Sequence, residues 1–138
     1  MNLSTTYMGL KLESPVVVSA CTLSEDISNV LKMEDAGAGA IVMFSLFEEQ
    51  IKRDAANWDS VMHATSNIFA EASDFFPGAD DFHVGPYEYL EKLRQAKMRT
   101  ELPIIGSLNG ITNEGWIEYA RLIEETGADG LEINIFFI

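Results

Sequence analysis

Hydrophobic residues along this chain follow two alternating rhythms. In one they run together, as in "PVVVSA" (Pro15 to Ala20), "AIVMF" (Ala40 to Phe44), "LPIIGSLNG" (Leu102 to Gly110) and "DGLEINIFFI" (Asp129 to Ile138). Short apolar, β-branched runs of this kind are expected of strands covered on both faces. In the other rhythm they return every three or four positions: Ile27, Val30, Leu31 and Met33, then Tyr89, Leu90 and Leu93, then Trp116, Tyr119, Ala120 and Ile123. That spacing predicts three helices, each with one apolar stripe. Ser24 is the expected N-cap of the first, with Glu25 and Asp26 opposing the positive end of its dipole and Gly37 as its stop. Gly85-Pro86 introduces the second. From Glu48 to Asp81 the pattern mixes helical patches with turn residues and shows no strand, so it reads as one long strand-to-helix excursion, broken at Pro77-Gly78.

After a β-like N-terminal lead, the order is therefore β-α-β-α-β-α-β, which demands a mainly parallel sheet with right-handed crossovers. Two α/β architectures satisfy it. An open, flavodoxin-like doubly wound sheet is complete near 138 residues, whereas a (β/α)8 TIM barrel needs about 250. Length alone favours the open sheet, with residues 1–138 forming a single α/β domain.

Composition narrows the function more than the fold. A net charge of −13 with only nine Lys and Arg argues against nucleic acid and against anionic membrane surfaces, both of which need clustered cations. No apolar run is long enough to span a bilayer, and "MNLSTTYMGLKLESP" lacks the basic start and apolar core of a signal peptide, so a cytoplasmic location is expected. The single cysteine, Cys21, has no disulfide partner, in keeping with a reducing compartment. It reads more simply as a small buried hydrophobe than as a nucleophile, because no cation neighbours it in sequence. His63 and His83 are isolated and show no ligand spacing, so no metal is expected. "EEQIKR" (Glu48 to Arg53) reads as a solvated helix face, and Met43, Phe44, Leu46 and Phe47 as core or interface residues. Ser107 and Asn134 are polar groups inside buried strands and need partners whatever their function.

Three stretches go further together than any does alone. "GLKLESPVVVSACTLS", "MEDAGAGAIVMFSLFEEQ" and "PIIGSLNGITNEGWIEYARLIEETGADGLEINI" resemble, in order and spacing, the opening half of the dihydroorotate dehydrogenase family of FMN-dependent enzymes. Only about residues 51–78 fall outside the resemblance. It implies the N-terminal half of a (β/α)8 barrel, with FMN at the carboxyl ends of the strands and oxidation of a ring CH–CH bond, as in dihydroorotate to orotate. By position, Ser19, Ala20 and Cys21 would lie along the flavin, Ser45 near its edge, Ser107 facing the ring, and Asn134 at flavin and substrate. The Thr-Lys-Ser that ends the family's second strand is here Met43-Phe44-Ser45, so the cation beside the flavin is replaced by a phenyl ring. The family's catalytic base and phosphate-clamping turns have no counterpart among these residues. No catalytic residue is therefore assigned, and the chain by itself is not expected to retain FMN or to act on a small-molecule substrate. A half-barrel leaves open sheet edges, which predict a homo-oligomer, most simply a homodimer. The competing reading is a non-catalytic half-barrel whose main property is self-association. A phosphoacceptor receiver domain fits the size, but the Asp it requires at a central strand end is absent from "PVVVSAC" and "AIVMFS".

Overall fold

Four parallel strands, laid down in the order in which they occur in the sequence, carry the fold. In the computed structural model, which describes residues 2–56 and 86–135, β3 (Val17–Val18), β4 (Ala40–Phe47), β5 (Ile104–Asn109) and β6 (Gly130–Ile133) form one sheet in that order. Helix α1 (Ile27–Asp35) links β3 to β4, and α2, described over residues 48–56, begins directly after β4. Helix α3 (Tyr87–Arg99) leads into β5, and α4 (Asn113–Glu125) joins β5 to β6. Ahead of the sheet, β1 (Thr5–Tyr7) and β2 (Leu10–Leu12) make an antiparallel hairpin. Its two-residue turn, Met8-Gly9, has φ of 53° and 80°, the left-handed pair whose twist suits a hairpin.

Which face each element covers decides the architecture. Ile27 and Val30 of α1, Leu90 and Leu93 of α3 and Ile123 of α4 join Ile41, Met43, Ile104 and Leu108 of the strands in a single core cluster. On the opposite face the lower halves of the strands contribute Ala40, Val42 and Ile105, which pack with Leu12 of the hairpin. A doubly wound sheet has helices on both faces and a reversal in its strand order. Among the described residues there is neither. Sequential strands with the described helices on one side have the winding of three consecutive βα units and a fourth strand of a (β/α)8 barrel, here with the hairpin covering the bottom of the inner face. The mixed α/β fold with a parallel four-stranded sheet is as expected, and its sequential strand order is the one a half TIM barrel has, whereas an open flavodoxin-like sheet shares the parallel strands but reverses their order.

Both α1 and α4 end in the same way. Gly37 and Gly127 follow them at φ of 89° and 85°, and after α1 the Ala38 and Gly37 N–H groups return to Met33 and Glu34 carbonyls. This left-handed stop, which glycine adopts without a Cβ penalty, turns each helix straight into the next strand.

Local expectations change at three places. The N-cap of α1 is Asp26, whose carboxylate accepts the Ser28 N–H at 2.8 Å, because a 3-10 turn at Thr22–Glu25 precedes the helix. Ser24 instead points inward, fully buried, donating to the Cys21 carbonyl (2.8 Å) and accepting the Phe44 N–H (2.7 Å). Strand β4 runs three residues past Phe44 to Phe47, whereas β3 and β6 are shorter than their apolar runs. Pro77-Gly78, His63 and His83 lie outside the described residues.

Candidate functional site at the strand ends

Strand register assembles the site. Ser45 of β4 stands opposite Ser107 of β5, and Ser107 opposite Glu132 of β6, so three adjacent strands present these side chains side by side on the inner face. An irregularity in β4 between Val42 and Ser45 makes this possible. Val42 faces inward and Met43 outward; Phe44 also faces outward, with its ring edge-on to Tyr89 of α3 at 4.9 Å and within 5.5 Å of Lys92 Nζ. Strict alternation would have turned Ser45 toward the helices, and one extra residue restores it to the inner face. The Phe44 N–H at the irregularity is the one that Ser24 accepts.

Ser107 Oγ is the hub. It donates to Glu132 Oε1 at 2.9 Å and accepts from Asn134 Nδ2 at 3.0 Å. A hydroxyl has one hydrogen, so the 2.8 Å contact with Ser45 Oγ must be donated by Ser45. Asn134 Nδ2 also approaches Glu132 Oε1 at 3.3 Å, which uses both its hydrogens. Behind the hub, Tyr89 donates to the Ser107 carbonyl (3.2 Å) and accepts the Ser107 N–H (2.8 Å). Burial chiefly, with some help from the Glu132 charge and against the pull of the Ser107 backbone, raises the Tyr89 phenol to about 12, so it stays neutral and fixes this peptide.

Above the network lies a cleft of about 320 Å³, lined by Ser19, Ala20, Ser45, Phe47 and Asn134, with Asn109 and Glu132 completing it. Four of the six residues expected along a flavin therefore line one cavity. Ser107 sits fully buried, one bond behind the lining, and Cys21 is outside it, its carbonyl serving the Ser24 turn. Sequence reading passed over Glu132 and Asn109. Each lies two residues from an assigned position, Asn134 and Ser107, and so shares its face of the strand. The Asn109 carboxamide has no hydrogen-bond partner among the described residues, and its Oδ1 is buried.

A second polar centre flanks the cleft. Glu48, the first residue of α2, is fully buried rather than solvated. Its carboxylate accepts the Ile111 N–H, the Thr112 N–H (3.0 Å) and hydroxyl (2.6 Å), and pairs with Lys52 Nζ at 2.6 Å. Burial opposes its ionisation, yet the Ile111 N–H, the Lys52 ammonium and the two Thr112 groups outweigh it and hold the carboxyl down to about 2. Thr112 is the N-cap of α4, accepting the Gly115 N–H at 3.0 Å. The start of α4, a natural anion site, is thus already occupied by an internal carboxylate.

No group of His, Cys, Asp and Glu suited to a metal occurs among the described residues, and no helix there is long and apolar enough to cross a membrane.

A singly wound half-barrel with a polar cleft at the carboxyl ends of its strands has the layout that barrel enzymes use for small-molecule chemistry. No protein-family model matches the chain. Over 134 residues it is 28% identical to the dihydroorotate dehydrogenase B (NAD(+)) catalytic subunit of Thermoplasma acidophilum, covering 97% of this chain and 41% of that protein. The same subunit of Methanocaldococcus jannaschii is 26% identical over 96% of this chain and 41% of its own length. The NAD-dependent dihydropyrimidine dehydrogenase subunit PreA of Escherichia coli is 25% identical over 96% of this chain and 32% of its own. The chain thus spans about two fifths or less of the curated relatives it matches, and its resemblance to dihydroorotate dehydrogenase-like oxidoreductases extends over nearly all of it.

Proposed function

We propose that this chain supplies the flavin-ring side of an FMN-dependent oxidoreductase that acts on a ring CH–CH bond of the dihydroorotate type. The observation that carries the reading is the strand-end cleft, where register brings Ser45, Ser107 and Asn134 together on one inner face. The lining suits one face or edge of a planar ring: Ala20 and Phe47 offer apolar surface, and Ser19, Ser45, Asn109 and Asn134 offer hydrogen-bonding groups. When bound, a flavin accepts a hydride while a protein base removes the neighbouring proton. This chain's part is to hold and orient the ring and to fix hydrogen-bond directions around it. The phosphate is different, because the described helix start nearest the cleft is filled by Glu48 and the chain carries a net charge of −13.

FMN should therefore be held weakly, by its ring alone. The 138-residue chain is expected to purify colourless, without dehydrogenase activity, and to quench lumiflavin and FMN fluorescence with similar weak affinity. Failure to bind either would defeat the flavin reading. Preference for FMN at low micromolar Kd, about −8 kcal/mol, would instead reveal a phosphate site.

A second reading, a self-associating half-barrel, is favoured by one feature. Ile117, Ile133 and Ile135 are 73%, 52% and 65% exposed beside the edge of β6, which pairs with no further strand among the described residues. A homodimer formed through that edge is compatible with either function.

A further inference from the structure

We propose that Tyr89, together with Ser24, is a positioning residue of the strand-end cleft, holding from the helix side of the sheet the irregularity in β4 that turns Ser45 to the inner face. For its binding consequence the inference rests on the reading of the cleft as a flavin-ring site, and it names the residues behind that site that shape it. The backbone hydrogen bonds carry it. On the β6 side, the Ile104 and Leu108 carbonyls of β5 accept the Asp129 and Asn134 N–H groups. Successive residues of a strand aim their peptide groups at opposite neighbours, so Ser107, one residue before Leu108, aims its N–H and carbonyl at β4. There the register sets two residues of β4, Met43 and Phe44, against the single Gly106. The extra residue displaces the ladder, and the Tyr89 hydroxyl fills its place, accepting the Ser107 N–H at 2.8 Å and donating to the Ser107 carbonyl at 3.2 Å. On the β4 side of the irregularity, Ser24 Oγ accepts the Phe44 N–H at 2.7 Å.

A hydroxyl suits both tasks at Ser107, because one oxygen accepts and donates. With its ionisation pushed up to about 12, the phenol keeps the hydrogen it donates. The ring contributes as well: Phe44, turned outward at the irregularity, packs edge-on against Tyr89 at 4.9 Å. Without the two hydroxyls, buried N–H and carbonyl groups at the irregularity would be left unpaired, which favours a regular ladder instead. A regular β4 faces Ser45 toward the helices and breaks its contact with Ser107. The polar chain Ser45–Ser107–Asn134 on the inner face is thus set from the opposite face of the sheet.

The test compares Tyr89→Phe, which removes the hydroxyl and keeps the ring, with Ile104→Val, which thins the same core cluster lower on β5. In the 15N-labelled 138-residue chain, Tyr89→Phe is expected to move the Ser45 backbone signal and the Asn134 side-chain amide signals, across the sheet from the substitution, while Ile104→Val leaves them in place. Lumiflavin affinity should fall about tenfold in Tyr89→Phe and stay unchanged in Ile104→Val. In a Ser45→Ala background, where the positioned hydroxyl is already gone, Tyr89→Phe should weaken lumiflavin less than about twofold further. Asn134 signals unmoved by Tyr89→Phe, an equal response to Ile104→Val, wild-type lumiflavin binding that Tyr89→Phe leaves unchanged, or a full tenfold loss in the Ser45→Ala background would each overturn the proposal. Should Tyr89→Phe fail to fold, Ser24→Ala, which frees the Phe44 N–H, carries the same expectations. A wild-type chain that binds no lumiflavin, with the Asn134 response intact, would remove the flavin reading and leave the positioning role standing.

Discussion

Glu48 shows how much one buried carboxylate organises. It ties the first turn of α2 to the loop and N-cap of α4, more than sixty residues away. Its folded-state pKa lies below the ordinary value of 4.5, at about 2. The linked stability is therefore fully present above about 4.5 and is lost as pH falls toward 2. Glu48→Gln should lower unfolding stability at neutral pH by roughly 2 kcal/mol, the scale of hydrogen bonds to a charged group, part of the Lys52 contribution being screened by solvent. Urea titrations at pH 7 and pH 2.5 should show this difference shrinking at the acidic end; an equal difference at both would contradict the linkage. Gly115 lies directly against the same carboxylate, and a Cβ there would overlap it. In an open helix Gly→Ala gains about 1 kcal/mol. Here Gly115→Ala should lose about 1–2 kcal/mol by displacing a carboxylate held by four contacts, and it should flatten the same acid dependence.

At the scale of an element, β4 separates what sequence patterning reveals from what it hides. Its existence was legible from a run of apolar residues, as were the helices from their stripes and the parallel order from their alternation. The irregularity was not, because in "AIVMF" every residue is apolar and the pattern carries no phase. Ser45 was assigned by resemblance, but its turn to the inner face depends on the irregular backbone between Val42 and Ser45. Glu48 was hidden for a different reason: its burial depends on N–H groups supplied by a distant loop, and nothing within "EEQIKR" announces them. Asn109 needed only the period of two from Ser107. The orientation of Phe44 also alters what a substitution should do. If position 44 faced the cleft, Phe44→Lys would add a cation to a flavin site. Because the ring instead packs on Tyr89 beside Lys92, the change should cost about 2–3 kcal/mol through lost aromatic packing and like-charge proximity, with no gain in lumiflavin affinity. Tighter lumiflavin binding by a folded Phe44→Lys protein would show that the side chain reaches the inner face after all.

At the scale of the whole molecule, β3 and β6 are the outer strands of the sheet among the described residues, and the edge at β6 is the more exposed chemically. Beside it, a groove of about 550 Å³ lies between α4 and β6, lined by Ile117, Ala120, Ile123 and Leu131 among others. Ile133 and Ile135 extend the apolar surface past the strand end. In a closed barrel a further βα unit would cover this side; in the isolated chain a second copy can, by pairing strand edges and burying isoleucines. Ile135 is 65% exposed, so replacing it by lysine should leave the fold intact and act on association alone. Sedimentation velocity on the 138-residue chain should show mass rising with concentration, and Ile135→Lys should shift that rise to at least tenfold higher concentration, about 1.4 kcal/mol, with unchanged circular dichroism and urea midpoint. A wild-type protein that stays monomeric up to millimolar concentration would remove the dimer from both functional readings. A variant that unfolds would mean that Ile135 is buried within the monomer, and that the terminal strand folds back to cover its own edge.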